Sequence, residues 1–248
     1  MSIATDVSTP SSRSQVRLAS RSLPSAAVLV TTLMGGVAIV STWIWYRIFQ
    51  WYGLYENLPK THYSFEKARN WFDSPALRQT LLFFIILAAM YAAAVVLIQT
   101  GAHLNLATKA GIVALALGPA IVNVMLYPVG ALDVFNYLIE LKLALHYDEN
   151  PYLVTFQEYA GDSYARSAFL TNVTLFYGPA WLILTGVPAL IAGFDDIADT
   201  LIALKLFNLL LLAATAAVIA WHQRDARTRW LAVALFAANP LVLFEGIA

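Results

Sequence analysis

An aspartate, Asp133, is the residue of this chain whose type and position point most clearly to chemistry. It lies in the segment YPVGALDVFNYLIELKLALHYDENPY, which begins at Tyr127 and follows an apolar run long enough to cross a bilayer. A carboxylate can accept a proton, and an ionisable group at a membrane boundary is costly to place. Its position, where an apolar helix ends and a long loop begins, therefore indicates a functional role.

Other side chains of the loop are candidates to act with Asp133. Tyr137 lies one turn further along the predicted helix and can face the same cleft, although tyrosine is also common at membrane interfaces. Asp148 and Glu149 precede the turn N-P-Y and either position a substrate, bind a cation or form a solvated turn. Tyr177, in the helix-initiating sequence Y-G-P, can contact a substrate. The alternative to a chemical role for Asp133 is a structural one, because aspartate is a favoured helix N-cap.

Composition places the chain among α-helical membrane proteins. Hydrophobic residues make up 60% and charged residues 12% of its 248 residues, whereas soluble domains carry about 25% charged residues. The mean hydropathy is +0.66. The net charge is zero, so the charge balance gives no sign of nucleic-acid binding. Without cysteine there are no disulfides or thiolate metal sites, and the scattered histidines do not favour a zinc site.

Hydropathy and charge divide the chain into a tail, about five spans and one large loop. Residues 1–25 are rich in Ser, Thr, Arg and Pro, which predicts a disordered, basic tail. Residues 128–197 form the loop, with juxtamembrane helices of which one is predicted to start near Asp133 from its apolar spacing. The predicted spans are residues 26–48, 79–99, 110–127, 198–221 and 230–248.

The distribution of basic residues predicts the orientation of the chain. With the basic tail in the cytoplasm, the loop that carries Asp133 is extracytoplasmic. The apolar segment 179–194 is short and contains Gly186 and Pro188, which favours a juxtamembrane or re-entrant helix over a span. If it does not cross, the basic sequence HQRDARTRW also lies in the cytoplasm. The chain ends inside an apolar run, which predicts that further spans follow in a longer protein.

Three motifs, in this order, resemble those of the GT-C glycosyltransferases, and within them the bacterial branch that uses polyprenyl-phosphate mannose. They are L-D-V-F-N-Y, which contains Asp133, then N-P-Y at 150–152 and Y-G-P at 177–179. In that family the first motif opens a large extracytoplasmic loop and the third starts a juxtamembrane helix. The N-P-L at 239–241 matches a later helix, so that the resemblance covers residues 125–248. Two departures are Leu132, where the family often has a polar residue, and the absence of the family's C-terminal half.

The resemblance implies an all-α, GT-C-like transmembrane bundle in the plasma membrane with glycosyltransferase activity. Such an enzyme moves a hexose, mannose in the branch named above, from a polyprenyl-phosphate donor to a hydroxyl of a glycan or glycolipid acceptor. Asp133 is then the general base that takes the acceptor proton. Lys142, His146 and Arg166 are candidates to stabilise the leaving phosphate.

No cofactor follows from the resemblance, and the sequence does not specify a metal requirement. Two other classes of function stay open, namely a fragment of a transporter and a non-catalytic membrane scaffold. Transporters place charged residues on broken helices at mid-membrane. Here the predicted spans are nearly free of charge and the polar residues gather in one loop, which disfavours the transporter.

Overall fold

The computed structural model describes residues 26–58, 75–100, 104–129, 132–168 and 170–247. All regular elements in these ranges are helices, accompanied by an isolated bridge between Gly53 and Leu126. The all-helical fold class predicted from the sequence is therefore confirmed for the described residues. The predicted tail, residues 1–25, lies outside them.

The described part of the chain contains nine α-helices: α1 (Ala26–Tyr52), α2 (Leu54–Asn57), α3 (Pro75–Thr100), α4 (Leu106–Val124), α5 (Val134–Leu145), α6 (Pro179–Ala192), α7 (Ile197–His222), α8 (Ala226–Ala237) and α9 (Pro240–Ile247). Two 3-10 turns, Phe156–Tyr159 and Ser163–Arg166, lie between α5 and α6. Helices α1, α3, α4 and α7 are long and apolar enough to cross a membrane, and α8 with α9 could form a fifth, bent span. These helices indicate a membrane protein.

The last predicted run, residues 230–248, is broken in the structure. Helix α8 ends at Ala237 and α9 begins at Pro240, with an angle of 51° between them. Proline lacks the amide hydrogen that a continuous helix would need at this point. The Asn239 side chain instead accepts a hydrogen bond from the backbone N–H of Leu241 at 3.0 Å, so Asn239 caps the second helix.

The first and third of the long helices, α1 and α4, run parallel and side by side. The backbone N–H of Tyr127, just after α4, donates to the carbonyl of Tyr52, the last residue of α1, at 2.7 Å. At the other extremity the hydroxyls of Thr31 and Thr108 are 3.0 Å apart. We call the extremity with Tyr52 and Tyr127 the loop end of the bundle, because the long loop leaves from it, and the other the opposite end.

The remaining long helices alternate between these two ends. Helix α3 starts beside the ends of α1 and α4 and runs back, so that its Ile98 joins Met34 and Ile112 in one buried cluster. Helix α7 starts at the loop end, and α8 starts at the opposite end, where the Lys109 ammonium lies 5.9 Å from the centroid of the Trp230 ring. The loop that carries Asp133 therefore lies at one end of an apolar bundle.

A buried lysine joins α7 to the end of α4. Lys205 is only 1% exposed, and its ammonium donates to the carbonyls of Leu126 at 2.6 Å and Asn123 at 3.3 Å. The last carbonyls of a helix have no partners within it, and a positive charge there is favourable. Lys205 thus satisfies backbone groups where α4 gives way to the loop.

Helix α6 has both of its ends at the loop end of the bundle. Trp181, in its first turn, packs against Tyr137 of α5 with the ring centroids 4.9 Å apart. The carbonyl of Phe194, after its last turn, accepts a hydrogen bond from Lys142, also of α5, at 3.1 Å. The segment 179–194 therefore does not cross the bundle here. Its outward face exposes a stripe of apolar side chains, Ile183, Leu184, Val187, Leu190 and Ile191.

Glycines allow α1 and α4 to pack closely. A Cβ atom added at Gly118 of α4 would overlap the hydroxyl oxygen of Thr42 in α1. One added at Gly111 would meet the Cβ of Met34 at 3.2 Å. At Gly36 of α1, in contrast, an added Cβ meets no described atom within 4 Å.

We expect Gly118→Val to destabilise the bundle by about 1–3 kcal/mol, the usual cost of overpacking, because α1 would have to move away. The free energy of unfolding in detergent, followed by circular dichroism, measures this effect. Gly36→Val is the matched control, since it adds the same side chain to open space and should change stability by less than about 0.5 kcal/mol. Equal effects of the two substitutions would contradict the close packing at Gly118.

Candidate functional site

The first residue of interest, Asp133, occupies the N-cap position of α5, but its side chain is not used as a cap. Its carbonyl accepts the N–H groups of Asn136 at 2.9 Å and Tyr137 at 3.1 Å. Its carboxylate makes no capping hydrogen bond, and the backbone is helical with φ −58° and ψ −22°. The side chain is exposed. The capping alternative therefore does not account for this carboxylate, which stays accessible to a ligand.

Three aromatic side chains form a cluster next to Asp133, one turn along α5. The hydroxyls of Tyr137 and Tyr177 are 2.6 Å apart, which makes a short hydrogen bond. Trp181 packs edge-on against Tyr137, at 4.9 Å between centroids, and lies 5.5 Å from Tyr177. All three are partly exposed. The structure thus brings together two residues that the sequence singled out separately, Tyr137 and Tyr177, and adds Trp181.

Electrostatics keeps the Tyr137 hydroxyl protonated. Burial raises the pKa of Tyr137, and so do its hydrogen bond with Tyr177 and the negative charges of Asp133 and Glu140. A tyrosine that holds its proton is a hydrogen-bond donor over the whole physiological range. The cluster therefore offers donors beside an exposed carboxylate.

The N-P-Y motif supports this cluster through the backbone. Asn150 accepts a hydrogen bond from the N–H of Tyr152 at 3.0 Å, which forms a local turn. The carbonyl of Pro151 accepts the N–H of Leu175 at 2.8 Å. The Tyr152 hydroxyl then donates to the carbonyl of Tyr177 at 3.0 Å. Two motifs that lie 25 residues apart in the sequence are thus held side by side.

A second group of polar residues gathers around Lys142, at the other end of α5. The Lys142 ammonium forms an ion pair with Asp162 at 2.8 Å, and the two side chains are 5% and 9% exposed. The same ammonium donates to the carbonyl of Phe194 and lies 4.0 Å from the centroid of the Tyr164 ring. Tyr147 donates its hydroxyl hydrogen to Asp162 at 2.7 Å. Lys142 is therefore enclosed and already neutralised, so it is not open to a substrate phosphate.

The protonation states of this group follow from the same contacts. Burial acts to raise the pKa of Asp162, but hydrogen bonds from Lys142 and Tyr147 outweigh it, and the pKa falls below its usual value. The hydrogen bond to Asp162 raises the pKa of Tyr147 to about 12. Asp162 is thus ionised and Tyr147 protonated at neutral pH, as the hydrogen bond between them requires.

The other predicted residues of this end lie at the surface or shape the backbone. His146 is exposed and packs against Tyr147 and Phe194. Asp148, three residues after the end of α5, takes a left-handed backbone conformation with φ 55°, which aspartate tolerates better than most residues. Glu149 accepts a hydrogen bond from Tyr159 at 3.2 Å, and Arg166 is exposed at the end of its 3-10 turn.

Helix geometry separates these two groups. Lys142 follows Asp133 by nine positions, which corresponds to about 13 Å along the helix axis and, beyond two full turns, roughly half a turn around it. The predicted residues therefore divide into a set with Asp133, Tyr137 and Tyr177 and a set around Lys142. The spacing along α5 already implies this half turn, but the sequence does not show that Tyr177 joins the first set and Asp162 the second, because both lie far from α5 along the chain.

Glu140 is a buried carboxyl that the predicted set does not contain. Its side chain is on α5, two turns from Asp133, and the residue is 3% exposed. Its Oε2 atom has no hydrogen-bond partner among the described residues. Burial alone raises the pKa of Glu140 to about 7. The sequence places Glu140 on the predicted helix, but it does not show that this side chain is buried.

Among the described residues, no three histidine, aspartate or glutamate side chains are grouped so as to hold a metal ion. Comparison of the chain with protein-family models, with curated proteins and with solved structures found no match.

We expect Lys142→Met to destabilise the protein by about 3–5 kcal/mol, because it leaves the Asp162 carboxylate buried without its partner. Thermal unfolding in detergent measures the loss. Arg166→Met is the matched control, since it removes an exposed cation of the same loop and should change little. The double variant Lys142→Met/Asp162→Asn should lose less than the sum of the two single variants. An additive double variant would contradict the ion pair.

The raised pKa of Glu140 predicts a pH dependence of stability. Below pH 4.5 the folded and the unfolded chain both carry this proton, and between 4.5 and about 7 only the folded chain does. The free energy of unfolding should therefore fall as the pH rises through this window. The rise of the Glu140 pKa from 4.5 to about 7 corresponds to a loss of roughly 3 kcal/mol of stability across this window, at about 1.36 kcal/mol per pKa unit.

The measurement is the free energy of unfolding at several pH values, for wild type and two variants. Glu140→Gln should remove this contribution to the pH dependence of the free energy of unfolding. At pH 8 it should be more stable than the wild type. Glu158→Gln, which changes an exposed glutamate of the same loop, should keep the wild-type slope. A wild-type slope that survives in Glu140→Gln would show that another group titrates.

Proposed function

We propose that this protein is a membrane glycosyltransferase of the GT-C type. It moves a hexose from a polyprenyl-phosphate donor to a hydroxyl of a glycan or glycolipid acceptor, with Asp133 as the general base. The observation that carries the proposal is the accessibility of the Asp133 side chain. Its carboxylate is exposed at the loop end of an apolar bundle and makes no capping hydrogen bond.

The position of Asp133 suits a lipid-linked substrate. The apolar chain of a polyprenyl phosphate stays in the bilayer, so its reactive phosphate ester lies at the membrane surface. Asp133 follows the end of α4 by nine residues, and α6 beside it presents an apolar outward stripe. Such a stripe suits a helix that rests against the bilayer surface. A base at this level reaches both the donor head group and an acceptor from the aqueous side.

The reaction requires one proton transfer and one exchange of bonds at the anomeric carbon. The acceptor hydroxyl gives its proton to the Asp133 carboxylate while its oxygen forms a bond to the anomeric carbon. The bond from that carbon to the phosphate oxygen breaks, and the polyprenyl phosphate leaves with the electron pair. Negative charge therefore grows on the phosphate oxygen and needs hydrogen-bond donors.

The hydroxyl pair next to Asp133 fits the role of donor. One hydroxyl of Tyr137 and Tyr177 donates to the other, so the second keeps its own hydrogen for an external oxygen. Lys142 does not fit this role, since Asp162 and the Phe194 carbonyl surround its ammonium. His146 and Arg166, both exposed, remain candidates only if the substrate extends along the loop.

Localisation in the plasma membrane with a cytoplasmic N-terminus belongs to the same proposal. Lys109 and the basic sequence at 222–229 lie at the opposite end of the bundle. Positive residues accumulate on cytoplasmic loops. The loop end with Asp133 is then extracytoplasmic, where a polyprenyl-linked sugar is used.

We expect Asp133→Asn to lower sugar transfer by about 10²–10⁴-fold, the usual contribution of a general base. The assay follows radiolabelled mannose from polyprenyl-phosphate mannose into acceptors in membranes that contain the protein, and a second series uses the glucose donor. Glu158→Gln is the matched control. It removes the charge of an exposed carboxylate of the same loop that is not among the candidate site residues, and should leave transfer unchanged.

Two results would overturn the proposal. Full activity of Asp133→Asn at normal expression would exclude it as the base. Wild-type membranes that transfer neither sugar would favour the non-catalytic scaffold.

A further inference from the structure

A cavity lies between the helices at the loop end of the bundle, and none of its lining residues belongs to the aromatic cluster of Tyr137, Tyr177 and Trp181. Its volume is 390 Å³, within the roughly 300–1,000 Å³ of small-molecule sites. Helices α1, α3 and α9 and the residues after α4 form its walls. Most of the wall is apolar, with Ile48, Leu77, Leu81, Phe84, Leu126 and Phe244. A cavity of this kind, at the level of the bilayer, suits a hydrocarbon chain.

The cavity contains one acidic side chain, Glu245 of α9. This residue is exposed, and it makes no hydrogen bond or ion pair with the described part of the chain. Tyr52, Thr80 and Tyr127 supply the other polar atoms of the wall. Thr80 is in the second turn of α3, so Glu245 lies close to the boundary where lipid head groups begin. A carboxylate is expensive there and by default indicates function.

The charge of Glu245 decides which head group is compatible. A phosphate without a cation beside it would be repelled by the carboxylate, as like charges across an interface are. A primary ammonium would be attracted and could donate hydrogen bonds to it.

We propose that this cavity binds one acyl chain of a phospholipid with a primary ammonium head group, and that Glu245 recognises the ammonium. The site is separate from the Asp133 site, and its ligand is distinct from the anionic sugar donor. The proposal therefore does not depend on glycosyl transfer. Its readout is lipid retention, so its failure can be told from the failure of the proposed function.

The test is native mass spectrometry of the purified protein with defined lipids. The probes are phosphatidylethanolamine, phosphatidylcholine and phosphatidylglycerol with identical acyl chains, each titrated in detergent. We expect phosphatidylethanolamine to be retained best, since phosphatidylcholine cannot donate a hydrogen bond and phosphatidylglycerol is anionic. Glu245→Gln should lower the retention of phosphatidylethanolamine about fivefold, the effect of one ion pair of moderate strength.

Matched variants separate the site from general lipid contact. Asp199→Asn removes an exposed carboxylate near the start of α7, also at the loop end, and should leave the preference unchanged. Leu81→Trp should fill the cavity and lower the retention of all three lipids. Leu82→Trp adds the same bulk to an exposed face of α3 and should not. Thermal unfolding of each variant shows whether it is folded.

Four outcomes would overturn the proposal. The first is equal retention of phosphatidylglycerol and phosphatidylethanolamine by the wild type. The second is an unchanged preference in a folded Glu245→Gln variant. The third is the absence of retained lipid in the wild type. The fourth is equal losses of retention in Leu81→Trp and Leu82→Trp.

Discussion

The loop structure depends on the contacts of the buried Lys142 ammonium. A charge this far from water is stable only with an opposite charge and further hydrogen bonds. Asp162 supplies the charge, Phe194 a carbonyl and Tyr164 an aromatic face. These partners come from a 3-10 turn and from the connection between α6 and α7. The contacts of this one lysine therefore hold two separate parts of the loop against α5.

This arrangement gives the two ends of α5 different roles. The C-terminal end is held by buried polar contacts, whereas the N-terminal end presents an exposed carboxylate and partly exposed aromatic rings. A site needs side chains that are both positioned and accessible. Lys142 provides the positioning at a distance, and Asp133 with Tyr137 and Tyr177 provides the accessible surface. The ion pair belongs to the support of the candidate site, not to its chemistry.

Charged side chains near the loop end of the bundle are either enclosed by the protein or exposed. Lys205 is enclosed and donates to the carbonyls of Asn123 and Leu126, at and just after the end of α4. The side chains of Glu245 and Asp133 are exposed and do not bind the ends of helices in this way. A carboxylate at a membrane boundary is energetically costly to place, and without an internal partner it does not stabilise the fold. The carboxylates of Asp133 and Glu245 are therefore accessible to ligands, whereas the Lys205 ammonium is not.

The sequence alone determined the membrane class, the approximate extent of the long helices and the start of α5 after Asp133, because hydropathy and helical period are local properties. The tertiary structure decided what each polar residue does. Nothing local indicates that Lys142 pairs with a carboxylate 20 residues away, or that Tyr137 meets Tyr177 at a separation of 40. The same holds for the burial of Glu140. Such contacts arise when the loop closes on itself, and they depend on which faces are brought together rather than on the pattern along the chain.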